Sequence, residues 1–167
     1  NMRVLDAACG TGYGSYMLSK KAKSVIGVDV SKKSIIFAKH NYKSKNLKFL
    51  KMNILNISKK LVFDLIVTIE TLEHLNQADA VRWLRKCYSH LKKGGVFVCS
   101  SPLVRIRNGK PFITNPHHLH EMRKNEFFGN LKKIFKTKFI NYNIQKDNSI
   151  APFTYENEGL CLIALKK

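Results

Sequence analysis

Short apolar runs alternate with segments of helical periodicity along the 167 residues, and no other feature of the sequence constrains the fold as strongly. Parallel strands cannot be joined by a tight turn and need a crossover, normally a helix. Repeated strand–helix units therefore predict an α/β domain whose sheet carries helices on both faces. Seven runs read as strands: Arg3–Ala7, Ser24–Asp29, Lys48–Met52, Phe63–Thr68, Gly95–Ser100, Lys138–Gln145 and Leu160–Lys166. Gly12–Lys21 can form a first helix, and Ser31 caps a second that runs to about Asn41. A third carries Ala80, Leu84, Cys87, Tyr88 and Leu91 at helical spacing and is expected to stop at Gly94-Gly95. The connection 146–159 is too short for a crossover helix, so the last strand should run antiparallel. Ser101–Lys124 carries Pro102, Gly109, Pro111 and Pro116 without periodicity and reads as one long loop, the kind of segment that tends to carry function in a compact domain. The first strand starts two residues after Asn1, so the reading is a single domain over 1–167 that lacks an opening helical segment.

With 44% apolar and 25% charged residues the chain is neither disordered nor fibrous, and no stretch approaches the roughly 20 apolar residues that cross a bilayer. The expectation is a cytoplasmic protein with no membrane segment. Cys9, Cys87, Cys99 and Cys161 are widely spaced without a Cys-x-x-Cys pair, as expected of reduced thiols rather than a disulfide or zinc framework. A net charge of +19 invites a polyanion such as nucleic acid, yet 24 of the 30 cations are Lys, whereas bidentate phosphate recognition favours Arg. Abundant Asn and Ile beside the Lys also fit a coding bias that makes a chain basic without such a partner.

The first strand runs into Leu5-Asp6-Ala7-Ala8-Cys9-Gly10-Thr11-Gly12-Tyr13-Gly14, a strand, a glycine turn and a helix start. Glycines there allow a sharp turn and close approach of a ligand to the backbone. Ser15 departs from the dinucleotide pattern Gly-x-Gly-x-x-Gly, which weighs against a dehydrogenase. Asp29, nineteen residues after Gly10 and at the end of the second strand, can accept hydrogen bonds from ribose hydroxyls or act as a cap.

In order, Asp6-x-x-x-Gly10-x-Gly12-x-Gly14, Gly27-Val28-Asp29, Phe63-Asp64-Leu65-Ile66-Val67 and Leu91-Lys92-Lys93-Gly94-Gly95 resemble the signature of class I S-adenosylmethionine-dependent methyltransferases. The resemblance spans essentially the whole chain. It implies a Rossmann-like, seven-stranded, mostly parallel sheet with a reversed last strand. It also implies that Gly10 and Gly12 meet the methionine part of S-adenosylmethionine, Asp29 the ribose and Asn53 the adenine, Asn standing where the family commonly has Asp. Asp6, Ala8, Tyr13, Val30, Ile54 and Glu70 complete the implied cofactor-binding set.

After the fourth strand Glu70, Glu73 and His74 fall at i, i+3 and i+4, one face of a helical turn. Such a face can hold a divalent cation, place a general base, or form a structural network. The following loop supplies Asn115-Pro116-His117-His118-Leu119-His120-Glu121, expected at the carboxyl ends of the strands where open α/β sheets bind ligands. Asn115, Pro116, His118 and Glu121 are similar to a pattern of sugar and small-metabolite methyltransferases. Glu70, Glu73 and His74 with a loop His are similar to metal-dependent O-methyltransferases of quinone precursors and of small RNA. The combined expectation is O-methylation of a small-molecule or sugar-like hydroxyl with His118, His74 and Glu73 catalytic. A metal, if used, would sit at Glu70, Glu73, His74 and His118. The alternatives are a metal-dependent RNA 2′-O-methyltransferase and a nucleotide-binding module without catalysis.

Overall fold

The computed structural model describes residues 1–113, 115–136, 139–144, 150–152 and 160–167. Its elements follow in chain order β1 (Arg3–Ala7), α1 (Tyr13–Ser19), β2 (Ser24–Asp29), α2 (Lys32–Asn41), β3 (Leu47–Lys51), β4 (Phe63–Ile69), α3 (Gln77–His90), β5 (Leu91–Pro102), β6 (Arg105–Arg107), β7 (Lys110–Phe112), α4 (Lys124–Phe135), β8 (Phe139–Ile144), β9 (Ile150–Pro152) and β10 (Leu160–Lys166). Single 3-10 turns occupy Ile54–Asn56 and Leu72–His74.

The main sheet has the order β3-β2-β1-β4-β5-β10-β8-β9. β3 to β5 run parallel, and β10 enters between β5 and β8 antiparallel to both, as the short last connection requires. The seven expected strands are all present, with β9 as a short addition at the β8 edge. Lys138 and Gln145, the expected ends of the sixth strand, and most of the connection that follows lie outside the described residues.

Two apolar layers sandwich the sheet. On one face Trp83, Leu84 and Cys87 of α3 and Phe127, Leu131 and Phe135 of α4 bury against Phe63, Ile66, Phe97 and Ile163, with the Phe97 and Phe135 rings stacked at 5.2 Å. Ile35 and Ala38 of α2 cover Phe49 of β3 in a smaller cluster. Where α1 crosses β2 the approach is so close that a Cβ on Gly27 would lie 2.6 Å from Ser15 Oγ. α2 and α3 are capped as their sequences suggest, Ser31 accepting from the Ser34 amide and Asn76 from the Asp79 amide.

Three expectations are corrected. The third helix ends at His90, not at Gly94-Gly95, because Leu91 is buried and already paired with Phe63. The register then slips from Phe63–Leu91 to Leu65–Val96, and the glycines shape that bulge, Gly94 with φ of 78°. The segment after β5 is not one loop: β6 and β7 form a hairpin around Asn108-Gly109, both at positive φ. Finally, α4 was not anticipated between the fifth and sixth strands. Its Phe127, Leu131 and Phe135 recur every four residues, but Arg123 at its start supplies no side-chain cap to announce it.

Candidate active site and cofactor cavity

The carboxyl ends of β1, β4 and β5 lie side by side, and the glycine turn and the glutamate–histidine cluster are built from what leaves those three ends. Beyond β1 the chain turns at Ala8 (φ 59°), Gly10 (φ 53°) and Gly12 (φ 89°) before entering α1. Beyond β4 it turns at Glu70 (φ 49°). Non-glycine residues avoid this region, and two of the four such residues among those described lie just beyond the ends of the paired strands β1 and β4, where strain of this kind marks functional sites.

Between these ends lies a cavity of about 480 Å³, lined by Asp6, Ala8, Cys9, Gly10, Thr11, Tyr13, Gly14, Leu18, Val67 and Ile69. Gly10 and Gly12 differ in what they do. A Cβ on Gly10 would meet nothing within 4 Å, so its backbone is open to a ligand. On Gly12 a Cβ would lie 2.7 Å from both Ala38 Cβ and the Phe49 ring, so this glycine is needed for packing. Asp6, 6% exposed, accepts from Ser15 Oγ at 2.6 Å. Burial, more than the opposing bond from Ser15, raises its carboxyl above the usual range, and the charge of Asp29 adds to this. A buried carboxyl in that condition favours a cationic ligand. Burial likewise pushes the Cys9 thiol up to about 12, so it is not a nucleophile.

The rest of the expected cofactor set lies on the adjoining strand tips. Asp29 fastens the glycine turn, its Oδ2 accepting from the Gly10 amide at 2.9 Å and its Oδ1 from the Ser31 amide at 2.7 Å. Pairing of Asp29 with Lys51 puts Val30 and Asn53 just beyond the ends of neighbouring strands. Val30 is exposed and Ile54 buried, while Asn53 Oδ1 caps its own 3-10 turn on the Leu55 amide, leaving the amide nitrogen for a ligand.

Beside the cavity the second cluster assembles. Side-chain ligand atoms of Glu73, His74 and His118 all lie within 4.8 Å of one another, although the loop histidine is 44 residues from His74 in sequence. The loop is fastened by its backbone: the Leu119 and His120 amides both donate to the Glu73 carbonyl, at 2.8 and 3.1 Å. His74 Nδ1 lies 3.1 Å from the His117 carbonyl, which can only accept, so Nδ1 carries the hydrogen and Nε2 of the neutral ring keeps its lone pair. His118 Nδ1 donates to Glu121 Oε1 at 2.6 Å, so in the neutral ring Nε2 is the acceptor. The two rings meet edge to face at 5.0 Å.

Glu73 is 1% exposed; its Oε2 accepts from Ser101 Oγ at 3.0 Å, while Oε1 is buried without a partner among the described residues. Glu70 accepts from Ser100 Oγ at 2.9 Å and stands outside the tight trio. Desolvation of its carboxyl first, and then the like charge of Glu73, push it up to about 7. Burial also raises Glu73. Glu121, expected from the loop pattern, stands against His118, whereas Ser100 and Ser101 were not among the expected site residues. Their signal was positional, a serine pair at the end of the strand beside β4.

Comparison with known proteins matches residues 4–95 to the family described as methyltransferase domain. The chain belongs to the class I S-adenosylmethionine-dependent methyltransferases. A probable S-adenosylmethionine-dependent methyltransferase of Mycolicibacterium smegmatis is 29% identical over 74% of this chain and 47% of its own length. A ubiquinone biosynthesis O-methyltransferase of Pelagibacter ubique is 35% identical over 58% of this chain and 40% of its own length. This methyltransferase domain thus spans about half the length of the curated relatives it matches. Its fold is that of a Clostridium acetobutylicum S-adenosylmethionine-dependent methyltransferase, with TM-score 0.77 at 19% identity over 98% of this chain and 83% of the other. The N-methyltransferase NodS of Bradyrhizobium japonicum, solved with S-adenosyl-L-homocysteine, gives 0.73 at 18% over 99% and 77%. The open glycine turn and the buried acid of the β1 cavity fit that cofactor.

Proposed function

We propose that the domain methylates a hydroxyl oxygen of a small-molecule or sugar-like acceptor, with His118 as the general base. The observation that carries this reading is the His118–Glu121 pair, which holds an imidazole by its Nδ1 and turns Nε2 to other partners beside the strand end that borders the cofactor cavity. S-adenosylmethionine supplies a methyl group on positively charged sulfur, so the protein's main task is to hold the acceptor oxygen in line at about 3–3.5 Å. His118 Nε2 would take the hydroxyl proton as the acceptor oxygen gains the methyl and the methyl–sulfur bond breaks, the electron pair leaving on sulfur, and Glu121 would stabilise the resulting imidazolium. His74 and Glu73 complete the wall, and Asp6 and Glu70 favour the cationic cofactor over its neutral product. The test is turnover on a panel of catechols and free sugars, followed as S-adenosylhomocysteine release. His118→Ala should lower kcat by about 10²–10⁴-fold; full turnover in that variant refutes the assignment, and cofactor binding without turnover on any acceptor favours a non-catalytic module.

A second reading rests on the donor atoms of Glu73, His74 and His118 within 4.8 Å and on the unpartnered Glu73 Oε1. One carboxylate and two imidazoles, each with one ring nitrogen turned away from its protein partner, suit a divalent cation, with Glu70 a further carboxylate close to Glu73, and a cation there would lower the pKa of the acceptor hydroxyl. Activity lost in a chelator and restored by magnesium, manganese or zinc selects this reading; activity indifferent to chelator selects the metal-free base. Metal-dependent activity on the 2′-hydroxyl of an RNA oligonucleotide would move the acceptor to nucleic acid.

A further inference from the structure

Residues 30–63 contain nine lysines and no Asp, Glu or Arg, so more than a third of the 24 lysines fall on α2, β3 and the turns around them. All nine are exposed, and none forms an ion pair among the described residues. An uncompensated cationic face of this kind holds a strong positive potential.

Two further features say which polyanion it suits. On α2 the residues turned into the core are Ile35 and Ala38, yet Ile36 and Phe37 also stand outward, 57% and 48% exposed. They sit between Lys32-Lys33 on one side and Lys39 and Lys43 on the other. Bulky apolar side chains ringed by lysines are what an interfacial helix presents to a bilayer, apolar groups entering at headgroup level while ammonium groups meet phosphates. Below the end of α2, Lys39, Lys43, Ser44, Lys48 and the exposed Leu50 line an open depression of about 350 Å³. Of the two aromatic rings there, Phe49 is buried and Tyr42 is stacked on Tyr16 at 5.2 Å and met by Tyr13. The depression therefore offers ammonium point charges for headgroup phosphates, its Ser44 hydroxyl already donating to Asn46 Oδ1. Use of Lys alone, without the forked donors of Arg, matches a diffuse phosphate surface better than a structured nucleic acid. No helix among the described residues is long and apolar enough to cross a membrane, so the contact proposed for them is with a surface.

We propose that the α2–β3 face docks the domain on an anionic phospholipid bilayer, with Ile36 and Phe37 entering the interface and Lys39, Lys43 and Lys48 meeting lipid phosphates. The test is co-sedimentation with vesicles of phosphatidylcholine alone and of phosphatidylcholine with phosphatidylglycerol, at low and high salt. Wild type should bind only the anionic vesicles and be released by salt. Lys39→Glu/Lys43→Glu and, separately, Ile36→Ser/Phe37→Ser should each weaken binding by about tenfold or more. Lys132→Glu/Lys133→Glu on α4 changes net charge equally and should leave binding within about twofold. All six positions are exposed, so thermal melting should be unchanged. Equal losses in the α2 and α4 lysine variants would reduce the effect to adsorption of a cationic chain and overturn the proposal. So would wild-type binding by the serine variant, or a poly-uridylate oligonucleotide bound more tightly than vesicles through Lys39 and Lys43.

Discussion

Glycines two residues apart at the end of β1 serve different ends, and alanine substitution separates them. Gly12→Ala drives a Cβ into Ala38 and Phe49 at positive φ and should cost about 2–4 kcal/mol of stability in urea denaturation. Gly10→Ala has open space and only backbone strain, about 1–2 kcal/mol, yet should weaken cofactor binding because its Cβ enters the cavity. The reverse ranking would show that Gly10 does not face the ligand. At Glu70 the prediction concerns sign. A carboxyl raised from 4.5 to about 7 holds its proton in the folded protein, so its contribution is full below pH 4.5 and is lost as pH rises through 7. Glu70→Gln should therefore melt higher than wild type at pH 8 and no higher at pH 4. The same ionisation should raise the preference for cationic S-adenosylmethionine over neutral S-adenosylhomocysteine between pH 6 and 8, and the Gln variant should show a flat ratio by calorimetry.

Among the elements, the segment 115–121 shows how far sequence could be read and where it stopped. Its histidines and Glu121 announce a site, but nothing in their spacing tells that two amides are fastened to the Glu73 carbonyl or that His120 Nε2 meets Glu126 Oε1 at 3.0 Å. That partner lies on α4, the helix its uncapped start concealed. Glu126 also accepts from Gln77 Nε2 at 2.8 Å, which ties the loop, α3 and α4 together. Partial burial raises its carboxyl, but the bonds from His120 and Gln77 outweigh this and hold it below the usual range, so the tie is at full strength above pH 4.5 and loosens as pH falls. Glu126→Ala removes two hydrogen bonds and should speed exchange of the Leu119 and His120 amides about tenfold. Unchanged exchange would mean that Glu73 alone secures the loop. β1 to β4 and the 95–100 part of β5, by contrast, were legible because each is a short apolar run bounded by glycine or polar residues, and the reversed β10 followed from the length of the link before it.

For the whole molecule, the sheet order brings the ends of β1, β4 and β5 together although their residues lie some 30 to 90 positions apart, and this is why the site appears as separate motifs in sequence and as one surface in the fold. Glu73, His74 and His118 come together as spacing and family resemblance suggested, but Glu70, expected with them, stands outside the trio; the serines behind the two glutamates were not anticipated, because a hydroxyl that serves another side chain leaves no motif of its own. The division of labour between Asp29, which fastens the turn, and Asp6, which lies in the cavity, also required the structure. Everything functional rests on the β1 cavity taking S-adenosylmethionine. Calorimetry with S-adenosylmethionine, S-adenosylhomocysteine and NAD, on wild type and Asp29→Ala, tests that claim most directly. Micromolar binding of the first two, none of NAD, and loss of both in the variant is the predicted result. NAD binding, or cofactor affinity unaffected by removing Asp29, would contradict it.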